Sequence, residues 1–135
     1  MGLTFLDTSA VVGFLDADDA LHSAARSAVL GALRDGERLG ASIITWAEAL
    51  AGVRLGHQEE RVLRAFRLDL ALEVVALDEP TAERAADLRV VGLRLPDALV
   101  LASAERAGAT HIVTGDRRWA TARVNVPVLL LEAAR

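Results

Sequence analysis

The chain contains no cysteine and no lysine. The first absence excludes a disulfide framework, a thiol nucleophile and a thiolate-held metal. The second excludes every mechanism that needs a lysine side chain; all 15 basic residues are arginine. Aromatic residues make up only 4% of the chain, so a core must be built mostly from Ala, Val and Leu. No apolar run approaches the roughly 18 residues that would span a bilayer. The N-terminus lacks a basic segment and carries Asp7 inside its first apolar stretch, which argues against a signal peptide and for a cytoplasmic protein. No linker, repeat or low-complexity segment divides the sequence.

What is present describes a folded protein. Hydrophobic residues account for 53% and charged residues for 25% of 135 residues, a size suited to one domain, residues 1–135, with a real core. The net charge of −4 gives no electrostatic footprint for tight, nonspecific nucleic-acid binding. A nucleic-acid substrate would have to be held locally, by arginines or through a metal. The three histidines, His22, His57 and His111, are too scattered for a ligand set.

Short β-type runs occur at Leu3–Leu6, Leu39–Ile44, Val74–Leu77, His111–Thr114 and Val126–Leu131. Between them the spacing turns helical. A helix begins near Ala10; Leu21, Ala25, Ala28, Val29 and Ala32 form one stripe, and Val62, Leu63, Phe66 and Leu70 another. Two further helices, Glu79–Val91 and Pro96–Ala107, are divided by Gly92-Leu93-Arg94-Leu95. Strands alternating with helices predict a three-layer α/β/α domain with a central parallel sheet of about five strands.

Four acids sit at element junctions. Asp7 ends the first strand, and Asp116 follows the strand that ends near Thr114. Asp97 lies just after Pro96, a residue suited to the first turn of a helix. Glu48 falls at the third helical position if Thr45 is the N-cap, an arrangement that matches a capping box. Taken singly, each acid has an ordinary explanation as a cap or a helix-dipole partner. Taken together they share a geometric property. In a parallel α/β sheet, strand C-termini and the N-termini of the connecting helices lie on one edge, where such sheets bind ligands. At about 5 Å and an effective dielectric near 20, each carboxylate pair would repel by roughly 3 kcal/mol. Protons or cations must offset this, and all-oxygen ligation suits Mg²⁺ or Mn²⁺ far better than Zn²⁺. Such a site can activate water and clamp a phosphate.

The ordered set L-D-T-S, I-I-T-x-x-E, L-P-D-A-L and V-T-G-D-R-R resembles the PIN-domain family, and more narrowly its VapC-like toxins of prokaryotic toxin–antitoxin pairs. The resemblance spans essentially the whole chain. It implies a Mg²⁺- or Mn²⁺-dependent endoribonuclease neutralised by a small cognate antitoxin. Asp7, Glu48, Asp97 and Asp116 match the family's acidic, metal-holding site. Thr8 and Ser9 match the hydroxyls after the first acid, and Thr114 the hydroxyl before the last; Ser9 would orient a carboxylate or water, or simply cap a helix. Many relatives carry a further acid about three residues beyond the Thr-x-Asp turn, where this chain has Trp119. One metal is therefore expected in the free protein, with any second ion recruited by the scissile phosphate. Arg117 and Arg118 are expected to hold RNA phosphates, whereas Arg61, Arg64 and Arg67 read as a solvated helix face.

The mean hydropathy of +0.32 implies apolar surface covered by another chain. Val11, Val12, Phe14, Leu15, Leu21 and Val29 are candidates for an antitoxin groove or a homodimer face, unless they simply cover the sheet. Three other readings compete. A receiver domain ordinarily needs a lysine. A dehalogenase-type phosphatase wants Asp-x-Asp, and Ser9 stands two residues after Asp7. A non-catalytic interaction module, with the acids as caps, would show no carboxylate-dependent Mn²⁺ affinity.

Overall fold

The computed structural model describes residues 2–133. Its five strands are β1 (Leu3–Leu6), β2 (Arg38–Ser42), β3 (Glu73–Val75), β4 (His111–Thr114) and β5 (Val128–Leu130). They form one sheet in the order β3-β2-β1-β4-β5, every pair parallel. Six helices connect them: α1 (Thr8–Leu15), α2 (His22–Arg34), α3 (Ile43–Arg54), α4 (Glu60–Asp69), α5 (Glu79–Val90) and α6 (Leu95–Arg106). A short 3₁₀ helix, Arg117–Thr121, follows β4. The expected α/β/α architecture is the observed one.

A parallel sheet covered on both faces needs strands that are apolar on both faces. All four residues of β1 are buried, and the alternation of side chains along the strand divides them. Leu6, with Leu39, Ala41 and Val113, joins the cluster shared with α1 to α4, which includes Val29, Trp46 and Leu63. Leu3 and Phe5, with Ile112, join the opposite cluster with Leu88 of α5, Leu101 of α6 and Trp119. Two layers of Ala, Val and Leu thus sandwich the sheet, as the shortage of aromatics requires. Among the described residues, no helix is long and apolar enough to cross a membrane.

Three element boundaries differ from the sequence reading. The run Leu39–Ile44 splits: β2 ends at Ser42, and Ile43 and Ile44 open α3. Ser42 is the N-cap, its hydroxyl accepting from the Ile44 N–H at 3.1 Å. The β-branched pair that favours a strand locally is overridden by that cap and by the packing of Trp46 and Ala49 in the core. The Val74–Leu77 run is replaced by β3 at Glu73–Val75, and Val126–Leu131 shortens to β5.

The expected interaction surface is also redistributed. Val11 and Val29 are core residues, while Val12, Phe14, Leu15 and Leu21 are half-buried against the sheet or the neighbouring helices. The most exposed large apolar side chains are instead Leu55, Leu68, Val90 and Val91. Of the three spaced arginines on α4, Arg61 and Arg64 pair with Glu59 and Glu60, and Arg67 lies over the Trp46 ring at 4.6 Å.

Leu101, fully buried between α5 and the sheet, tests the packing. Leu101→Ala should lower the unfolding free energy by about 2–5 kcal/mol. Val90→Ala, at a side chain 85% exposed, should change it by no more than about 0.5 kcal/mol. Denaturant titration of both variants measures the contrast.

Candidate active site

The strand order reverses direction beside β1: β2 and β3 extend to one side, β4 and β5 to the other. The crevice between the C-terminal ends of β1 and β4 is therefore the topological switch point, where an open α/β sheet presents its ligand site. Asp7 stands at the end of β1 and Thr114 at the end of β4. The Asp7 N–H donates to the Val113 carbonyl at 3.0 Å, fixing the two strand ends together.

Asp7 occupies the N-cap position of α1, yet its side chain makes no capping hydrogen bond. It is only 8% exposed. Its Oδ2 accepts instead from the Thr114 hydroxyl at 2.8 Å and the Ser9 hydroxyl at 3.1 Å. Both hydroxyls are held in turn. The Gly115 N–H donates to Ser9 Oγ at 2.8 Å, and the Asp116 N–H donates to Thr114 Oγ1 at 3.0 Å. Burial pushes the Asp7 pKa above the ordinary carboxylate value; the hydrogen bonds from the Thr114 hydroxyl, the Thr8 backbone N–H and the Ser9 hydroxyl oppose this, and the nearby Glu48 charge adds to it.

The other three acids reach the same edge by different routes. Glu48 is the sixth residue of α3, because the helix starts at Ile43 rather than after Thr45. The expected capping box is absent. Thr45 is buried inside the helix with an unpartnered hydroxyl, and Glu48 accepts from the Thr8 hydroxyl at 2.6 Å. Asp97 lies in the first turn of α6, behind Pro96. Asp116 does cap the 3₁₀ helix, accepting from the Arg118 N–H at 3.0 Å.

Arg118 joins the last two acids. Its Nε donates to Asp116 Oδ1 at 3.0 Å and its Nη2 to Asp116 Oδ2, with Asp97 Oδ2 3.9 Å away from the same nitrogen. This pairing holds the Asp116 pKa below the usual carboxylate range, against a smaller opposing effect of burial. Arg94 approaches Asp97 from the other side at 3.5 Å. The Arg94-x-x-Asp97 spacing was available in the sequence as an i, i+3 pair, and the sequence reading missed it. Arg118 was expected on substrate phosphate; here it neutralises carboxylates. Arg117 is exposed.

Among the described residues, no three His, Cys, Asp or Glu side chains are gathered closely enough to close around an ion. The donor chemistry nevertheless fits a hard cation. Every candidate donor is oxygen, one carboxylate is buried without a cationic partner, and a guanidinium lies between two others. Thr8, Ser9 and Thr114 would serve as orienting hydroxyls. Trp119 is 1% exposed in the core, so it contributes packing at the position where a further acid was looked for.

The sequence matches the PIN domain family model over residues 4–125. Among solved structures, the chain is similar to VapBC2 from Rickettsia felis bound to a DNA fragment from their promoter, with a TM-score of 0.74, 19% identity, and coverage of 96% of this chain and 99% of that one. It is similar to a toxin–antitoxin complex from Klebsiella pneumoniae, with a TM-score of 0.68, 24% identity, and coverage of 97% and 99%. A third is VapC20 from Mycobacterium tuberculosis, a sarcin–ricin loop cleaving toxin, with a TM-score of 0.69, 22% identity, and coverage of 90% and 95%. At these identities the likeness is one of fold. No curated protein matches the chain by sequence.

Two expectations follow from the electrostatics. A carboxyl whose folded pKa is raised stabilises the fold below its unfolded pKa, and this contribution is lost as pH rises through the folded value. Asp7 therefore costs the metal-free protein stability at neutral pH, and Asp7→Asn should raise the melting temperature there. The difference from wild type should shrink as pH falls toward 4, which thermal melts in EDTA across that range will read. Secondly, Arg118 competes with any cation for Asp97 and Asp116. Arg118→Ala should tighten Mn²⁺ binding by up to about fivefold, since an exposed ion pair contributes little. Calorimetric titration of the metal-free protein tests this; unchanged or weaker binding would contradict it.

Proposed function

Because the chain belongs to the PIN domain family, as its match over residues 4–125 establishes, we propose that it is a Mg²⁺- or Mn²⁺-dependent endoribonuclease, the toxin of a toxin–antitoxin pair. The observation that carries this reading is the Asp7 carboxylate, buried at the β1–β4 crevice and oriented by two hydroxyls rather than used as a cap. A carboxylate that served only to end a helix would bond the helix N–H groups and sit in solvent. Asp7 is instead buried with its carboxylate turned to the Thr114 and Ser9 hydroxyls, and Glu48 lies outside the capping box that would have explained it. Both facts weigh against an interaction module whose acids are caps.

The chain's own residues supply binding and orientation. Asp7, Asp97 and Asp116, with Glu48 reaching in from α3, are the carboxylates that would hold the ion. When bound, the ion activates water and withdraws charge from a phosphodiester in the manner of hard-metal hydrolases. Thr114 and Ser9 fix the Asp7 carboxylate so that one oxygen is engaged by protein hydroxyls. Thr8 restrains Glu48. Arg118, once released from Asp116, is placed to meet a phosphate oxygen with a charge-assisted hydrogen bond. The similar structures named as VapBC and toxin–antitoxin complexes support a cognate antitoxin as partner, and the exposed Leu55, Leu68, Val90 and Val91 leave apolar surface for an antitoxin or a second copy of the chain.

Incubating the purified protein with total RNA in EDTA, Mg²⁺ or Mn²⁺ is the deciding experiment. Cleavage should require the ion. Asp7→Asn should lower it beyond the about 10–100-fold typical of losing an outer-shell partner, and Thr114→Val should fall within that range. An Asp7→Asn protein that folds and cleaves at the wild-type rate would sink the assignment.

A further inference from the structure

A cleft of about 450 Å³ opens beside the acids, between the α5–α6 turn and the 3₁₀ helix. Its size falls within the range of small-ligand sites. It shares Asp97 and Arg118 with the acidic crevice, and its remaining wall includes Leu93, Arg94, Trp119 and Arg123. Gly92, at φ +114°, shapes the turn on one side in a conformation that side-chain-bearing residues rarely adopt.

The chemistry of this wall is specific. Three arginines, Arg94, Arg118 and Arg123, line the cleft against one acidic residue, Asp97, in a protein whose net charge is −4. Arg94 and Arg118 are both within ion-pair reach of Asp97. Arg123 is exposed and makes no ion pair among the described residues. Trp119 is buried behind this wall. The cleft therefore combines a free guanidinium and the apolar surface of Leu93 at the flank of the proposed phosphodiester-cleaving centre. An unstacked nucleotide meets both: its phosphate and base edge accept hydrogen bonds, and its planar ring covers apolar side chains or stacks on a guanidinium.

We propose that this cleft holds the nucleotide adjoining the cleaved phosphodiester, and that Arg123 contacts it and sets the base preference beside the cut. The proposal rests on the ribonuclease reading and names where its sequence selectivity resides. An acidic peptide is the competing occupant; it accounts for the arginines, but neither for the apolar wall nor for the cleft's shared border with the acids.

The test has two arms. In the first, the indole N–H resonance of Trp119, assigned with Trp46→Phe, is followed by NMR while the metal-free protein is titrated with each of the four 5′-mononucleotides, inorganic phosphate and an oligoglutamate peptide. At least one nucleotide should shift the resonance saturably and more tightly than phosphate or the peptide. Arg123→Ala should weaken that binding about 10-fold or more. In the second arm, a randomised single-stranded RNA is cleaved in Mg²⁺ by wild type and Arg123→Ala, and the cut sites are sequenced. The base preference next to the cut should relax in the variant, while its Mn²⁺ affinity, read by calorimetry, stays that of wild type. A nucleotide-insensitive Trp119 resonance with an unchanged cut pattern overturns the subsite and leaves the nuclease standing. Equal binding of phosphate or oligoglutamate marks a general anion site and also overturns it. A wild-type protein that cuts no RNA overturns the function itself, and the subsite with it.

Discussion

Placing a carboxylate, Asp7, at the buried end of the central strand is the constraint on which the site depends. Removing that charge from water is unfavourable unless hydrogen bonds or a cation compensate. The surrounding chain supplies the hydrogen bonds in a definite order: Gly115 holds Ser9, Asp116 holds Thr114, and both hydroxyls turn to Asp7. Two of these bonds, Thr114 to Asp7 and Gly115 to Ser9, span more than a hundred residues of sequence and exist only because β1 and β4 are neighbours. The sheet topology and the acid site are therefore one arrangement. A strand order that separated β1 from β4 would leave Asp7 without the Thr114 hydroxyl, and Ser9 without the Gly115 N–H that holds it.

The remaining acids are handled by a different means. Asp116 and Asp97 lie nearer solvent and share Arg118, with Arg94 completing the cover on Asp97. One carboxylate is thus buried and oriented by neutral donors, while two are neutralised by guanidinium groups. This asymmetry separates a fixed anchor from exchangeable partners within a single crevice. Arginine suits the second role, since its planar fork engages both oxygens of Asp116 and remains charged at any working pH.

Much of this was legible in the sequence because the relevant rules are local. An apolar run ending in Asp, Pro96 opening a helix, and Thr-Gly-Asp after a strand fix Asp7, Asp97 and Asp116 at their junctions without any tertiary information. Glu48 reached the right edge for the wrong local reason. Both Ser42 and Thr45 can cap a helix, and only packing of Trp46 and Ala49 against the sheet selects Ser42 and turns Ile43 and Ile44 from strand into helix. The side-chain choices were less accessible still. Arg118 pairs locally with Asp116, two residues away, and only its approach to Asp97 depends on how the 3₁₀ helix sits against α6. Trp119 was read only as a missing acid, although an isolated large aromatic in an aromatic-poor chain is a natural core anchor.

β1 and β4 each send alternate side chains into the two apolar layers: Leu3 and Phe5 with Ile112 to one side, Leu6 with Val113 to the other. Neither layer can melt alone without exposing a sheet face to water, so the two are coupled into one cooperative unit. The crevice sits at the seam of that unit and has no independent support. A fluctuation that loosens either half pulls Asp7 and Thr114 apart, so the arrangement of the crevice exists only in the fully folded molecule.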